Sequence, residues 1–92
     1  MWKEKLDGEI LEQLGQDIRR LRKSRKMNQQ QLAEQVGVSR KHISDVEAGR
    51  SGSLLTFVRI LKVFNKVDAL LQLMYTPRLS PKALFYKEHG HY

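Results

Sequence analysis

The 92-residue chain has no cysteine, which excludes a disulfide framework and a thiolate zinc site alike. It has no apolar run near the roughly 20 residues that a membrane span requires, and its first ten residues, MWKEKLDGEI, lack the apolar centre of a signal peptide. The expectation is a soluble, cytoplasmic, single-domain protein. Histidines are few: His42, His89 and His91. The last two flank a glycine in HGHY, with no carboxylate set or ordered helix to hold a metal. The acidic residues Glu4, Asp7, Glu9 and Glu12 read as solvated charge near a helix start, not as acid–base machinery. There is no Gly-rich phosphate loop and no Ser/His/Asp arrangement. No enzyme, metal site or cofactor is therefore expected.

What the chain has is positive charge, unevenly spread. The formal net charge is +7. Residues 1–17 hold two basic and five acidic side chains; residues 18–66 hold twelve basic and three acidic; residues 67–92 are nearly balanced. A field concentrated on one segment points to a polyanion, because basic side chains displace condensed counterions from phosphates. Ribosomal and membrane-surface proteins are basic too, so charge alone does not name the polyanion.

The segment NQQQLAEQVGVSRKHISDVE, residues 28–47, narrows the choice. Leu32 and Val36 are four apart, and Ile43 and Val46 three apart, so each pair lies on one face of its own short helix. Ala33 leaves room for close approach of the second helix, and Val38 can plug the corner. Asn28 and Ser39 are good N-caps. Gly37 stands where positive φ is wanted after a helix end, and Gly49 can end the second helix the same way. Helices at about 29–36 and 40–48 with a tight turn between them follow the pattern of a helix-turn-helix, whose second helix enters the major groove of duplex DNA.

Around this unit the pattern predicts more helix. Residues 1–7 read as a frayed end, with Asp7 capping a first helix from about Gly8 to Lys26. Its stripe is Leu11, Leu14, Ile18 and Leu21, and Gly15 reads as a weak point where two segments could meet. Ser53 caps a fourth helix at about 54–65, whose buried face is expected to be Leu54, Phe57, Val58, Leu61 and Phe64. A fifth segment, VDALLQLM, is apolar nearly all round and must be buried on more than one side. Its second cover is expected to be another copy of the chain, through Val67, Leu70, Leu71 and Met74. Thr76-Pro77 ends that helix, and Ser80-Pro81 starts a further short one over 81–88. The division expected is residues 1–76 as the DNA-binding domain and 77–92 as a C-terminal extension.

The residues IRRLRKSRKMNQQQLAEQVGVSRKHISDVEAGR, followed by SLLTFVRILKVF, resemble the Xre/Cro-type helix-turn-helix of phage repressors and small bacterial regulators. Ala33, Gly37 and Ile43 fall at the family spacing. The resemblance implies an all-α, compact five-helix, lambda-repressor-like domain that binds an operator as a homodimer. Within the family, the loop GRSGS and LLTFVRILKVF are similar to HipB-like antitoxins, which implies a second reading. The chain would then neutralise a HipA-like kinase toxin and repress its own operon. Such antitoxins tend to continue into a β-strand, whereas this tail has Pro77 and Pro81.

Roles follow. On the second motif helix, Arg40, Lys41, Ser44 and Asp45 point outward and are candidate base contacts. Arginine suits guanine O6 and N7, and a carboxylate can accept from cytosine N4. Asp45 has an equal alternative, that of orienting a neighbouring arginine. His42 points sideways. Gln29 matches a family position that reaches phosphate and braces the recognition helix; Gln30, Arg19, Arg25 and Arg50 are further phosphate candidates. Cations near the end of the first helix also suit its dipole. The positions of Arg22 and Glu47 form a structural ion pair in the family.

Overall fold

The computed structural model describes residues 6–50 and 52–75. Among them every regular element is helical: α1 Asp7–Ser24, α2 Gln29–Val36, α3 Arg40–Glu47, α4 Leu54–Val63 and α5 Val67–Met74. This is the all-α, five-helix architecture the sequence pattern predicts. The end at 1–5 and the extension at 77–92, with its expected helix over 81–88, lie outside the described residues.

Caps set the helix starts. Asn28 Oδ1 accepts the Gln31 amide at 2.8 Å, and Gln31 Oε1 accepts the Asn28 amide at 2.8 Å, a reciprocal pair that satisfies two otherwise orphaned donors. Ser39 Oγ accepts from the His42 amide and Ser53 Oγ from the Thr56 amide, both at 3.0 Å. α1 begins one residue earlier than expected. Asp7 is its first residue and Leu6 its N-cap, with the Leu6 amide donating to Glu9 Oε1 at 2.9 Å.

Three helix ends, those of α1, α3 and α4, follow one device. At the end of α1, Lys26 takes a left-handed φ of 57°. Its amide donates to Lys23 O at 2.9 Å, and the next amide, of Met27, reaches Arg22 O at 3.2 Å. This paired closure stops the helix at Ser24, two residues short of the expected end. Asn65 (φ 58°) closes α4 in the same way, and Gly49 (φ 76°) closes α3.

Gly15 overturns an expectation. α1 runs through it without a break. A β-carbon there would lie 2.6 Å from the Val46 carbonyl oxygen and 2.7 Å from the Glu47 carbonyl carbon. The glycine is therefore where α1 and the end of α3 meet backbone to backbone. Gly49 makes a second such approach, since a β-carbon would stand 2.7 Å from the Glu12 nitrogen.

The core is Ile18, Leu32, Ala33, Val36, Ile43, Ile60 and Phe64, flanked by Leu21, Met27, Val38, Val46, Phe57 and Val63. α3 packs on α2 and α1, α2 also on α4, and α5 on α4. Two stripes differ from expectation. Leu11 and Leu14 are exposed. They line, with Ile18, Val46, Leu54 and Phe57, an open apolar groove of about 350 Å³. α4 is rotated: Thr56, Ile60 and Phe64 are buried, Phe57, Val58 and Leu61 half-buried, and Leu54 exposed. A helix with apolar residues on several sides does not announce its inward face. Thr56 tolerates burial because its hydroxyl accepts from Ser53 Oγ at 3.0 Å.

α5 has no buried residue. The two-sided cover expected for it is absent within the described residues. Val67 and Leu70 are half-buried, while Leu71 and Met74 are exposed.

Candidate nucleic-acid interface

α3 is fixed from behind. Ile43 is fully buried, and Glu47, near the helix end, is held by three donors. Arg22 Nε lies 2.6 Å from Glu47 Oε2, and Arg22 Nη2 lies 3.0 Å from Oε1. Gln29 Nε2 donates to Oε1 at 3.1 Å. Arg22 Nη1 also donates to the Met27 carbonyl at 2.8 Å. The side chains of Arg22 and Glu47 are 8% and 4% exposed. A carboxylate is unfavourable near a helix C-terminus; the two-pronged guanidinium removes the problem and ties α1 to α3.

Gln29 extends this network outward. Its amide oxygen accepts from Arg40 Nη1 at 3.3 Å, so Arg40 on α3 is linked through Gln29 to the buried pair. The first residue of α2 therefore touches both the anchored and the outward side of α3. This link between Gln29, Glu47 and Arg40 was not readable from spacing, since it depends on the crossing of two helices.

Arg40 and Lys41 of α3 are exposed, and Ser44 and Asp45 are half-buried; by helical period Lys41, Ser44 and Asp45 turn away from Ile43 and Glu47, while Arg40 stands at the edge next to Glu47. Ala48 shares this face, four residues after Ser44, and is exposed. Its place on this face is legible from the sequence period alone. His42 is half-buried. Asp45 lies between two cations: Lys41 Nζ is 3.0 Å from Oδ2, and Arg50 Nε 3.3 Å from Oδ1. The hydrogen bond from Lys41, with the weaker pull of Arg50, holds the Asp45 carboxyl below its ordinary range, against partial desolvation.

The remaining candidates are dispersed. Gln30 is exposed and donates to Glu34 at 3.1 Å. Arg19 is exposed on α1. Arg25 is drawn to Phe64, its guanidinium 5.5 Å from the ring centre and its Nη2 3.5 Å from the Phe64 carbonyl, a cation–π arrangement. No group of three or more potential metal ligands occurs among the described residues. No described helix is long and apolar enough to cross a membrane.

A protein-family model described as helix-turn-helix matches residues 18–70. That span runs from Ile18 on α1 to Leu70 on α5 and contains the buried pair and all of α3. Searches of curated proteins and of solved structures found no match.

Proposed function

Since the chain belongs to the helix-turn-helix family and is thereby a DNA-binding transcriptional regulator, we propose that it is a repressor that binds an inverted-repeat operator as a homodimer. One observation carries this reading. α3 turns Lys41, Ser44 and Asp45 away from the core, with Arg40 exposed at its edge and Ala48 just past its end, while Ile43 and Glu47 anchor its other side. Such a helix has the outward polar face that major-groove entry needs. In this reading Arg40 and Lys41 contact guanine edges, Ser44 takes either partner, and the Ala48 methyl meets a thymine methyl. Asp45 accepts from cytosine N4. Arg19, Gln29, Gln30 and Arg50 hold phosphates, with Arg25 the least free to join them. α5 supplies the dimer contact through Val67, Leu70, Leu71 and Met74, which sets half-sites about 34 Å apart. DNA in the cytoplasm is the partner.

The test is selection of a preferred duplex followed by two substitutions. Arg40→Ala should cost ~1–3 kcal/mol on the selected site and relax choice at one position per half-site. Arg50→Ala should weaken both selected and random duplexes without relaxing base choice, and flatten the salt dependence by about one charge. Equal losses on every sequence for both variants would refute this division of labour.

The antitoxin reading rests on the GRSGS loop and on the apolar groove between α1 and α4, which offers a second protein an uncovered surface. It requires a larger protein to co-purify and to lose activity when bound.

A further inference from the structure

We propose that Asp45 determines specificity by negative charge. In this role it restrains Lys41 and Arg50 until a base supplies the hydrogen-bond donor that its carboxylate needs. The inference rests on α3 being the DNA-reading helix, and it goes beyond the simple contact assigned to Asp45 above.

Both carboxylate oxygens are occupied in the free protein. Oδ2 takes Lys41 Nζ at 3.0 Å and Oδ1 takes Arg50 Nε at 3.3 Å. The two cations sit one turn before and just beyond the helix end, so the acid bridges the outward face lengthwise. The side chains of Lys41 and Arg50 remain mostly open to solvent. Exposed pairs of this kind are weak, so they do not prevent rearrangement. They do change what the face offers to a phosphate. Two of its cations arrive partly neutralised, and a carboxylate arrives with them.

On a random duplex nothing replaces Lys41 and Arg50 as partners for Asp45. Either they stay with the acid and contribute less to phosphate binding, or they leave and a bare carboxylate faces the backbone. Each course weakens the sequence-independent term that dominates non-specific binding. A cytosine at the right step changes this. Its N4 amino group is the major-groove donor that a carboxylate accepts, and once it is engaged Lys41 is released to a base edge and Arg50 to a phosphate. One acidic side chain thus lowers affinity for wrong sequences and identifies a right one.

The experiment compares wild type, Asp45→Asn and Asp7→Asn by titration with a random-sequence duplex and with a duplex obtained by selection, over a range of salt. Asp7 is exposed at the start of α1, so its variant makes the same change in net charge away from α3. Asp45→Asn should bind the random duplex about 10-fold more tightly, with a salt dependence steeper by about one to two charges. Its ratio of selected to random affinity should fall by at least as much, while Asp7→Asn should shift either by less than about 3-fold. Random-duplex affinity that is unchanged or lower in Asp45→Asn, or matched by Asp7→Asn, overturns the inference. Wild type that binds no duplex at low salt overturns the DNA reading beneath it, a separate and recognisable outcome.

Discussion

α3 and α5 are both eight residues long, and their compositions run opposite to their burial. RKHISDVE has two large apolar residues and VDALLQLM has six apolar ones. Yet α3 buries Ile43 and Glu47, whereas α5 buries nothing and leaves Leu71, Leu73 and Met74 at 63%, 77% and 80% exposure. Neighbours decide the difference. α3 has α1 on one side and α2 on the other; among the described residues α5 has substantial packing with α4 alone. A helix's place in a fold depends on the surfaces available to it, and an apolar helix with one neighbour is a helix prepared for a second.

The strongest way to break this contrast is to remove what holds α3. Glu47→Ala leaves Arg22 buried without its carboxylate and should cost about 3–5 kcal/mol in urea denaturation. Replacing both residues by apolar ones of similar size, Arg22→Met with Glu47→Leu, should restore most of that loss, because the penalty lies in the stranded charge. A loss below about 1 kcal/mol for Glu47→Ala would mean that the pair is solvated and that α3 is held by Ile43 and Val46 instead.

Local features of the fold were legible, whether or not a helix is anchored. Asn28, Ser39 and Ser53 cap where side-chain chemistry demands, and α2 and α5 begin and end at the expected residues. Caps act within four residues of chain, so sequence displays them. The closure of α1 at Lys26 hid behind a residue that usually avoids left-handed backbone. The inward face of α4 hid behind a shortage of polar positions. The exposure of Leu11, Leu14 and α5 depends on where other helices stop, which no local pattern records. The site divides similarly. The outward positions Lys41, Ser44 and Asp45 follow from period alone, but the Asp45 bridge between Lys41 and Arg50 and the relay from Glu47 through Gln29 to Arg40 require the fold.

Gly15 gives a sharper test of the α1–α3 contact, at lower cost. Alanine in mid-helix ordinarily gains about 0.5–1 kcal/mol over glycine. At Gly15 the added carbon meets the backbone of Val46 and Glu47, which cannot swing aside, and overpacking of this kind costs about 1–3 kcal/mol. Gly15→Ala should therefore lower the thermal midpoint. Gly8→Ala, at the start of the same helix with nothing within 4 Å, should leave it unchanged or raise it. Equal gains at both positions would show that α1 and α3 are farther apart than this packing requires.

The smallest effect on the single chain is expected at α5, and it carries the other half of the comparison. Leu71→Ser changes a side chain that the described fold leaves largely in solvent, so the stability of a dilute monomer should move by no more than about 0.5 kcal/mol. If α5 is covered by a second copy, the same substitution removes apolar area from that contact and shifts the monomer–dimer equilibrium seen in sedimentation. The melting temperature of wild type should then rise with protein concentration, and that of Leu71→Ser should rise less. α3 variants that fold should leave the sedimentation unchanged, since their defects lie on another face. A wild type that stays monomeric at every concentration, with or without duplex, would leave α5 with no partner of its own kind. The contrast between the two helices would then reflect only unequal cover within one chain.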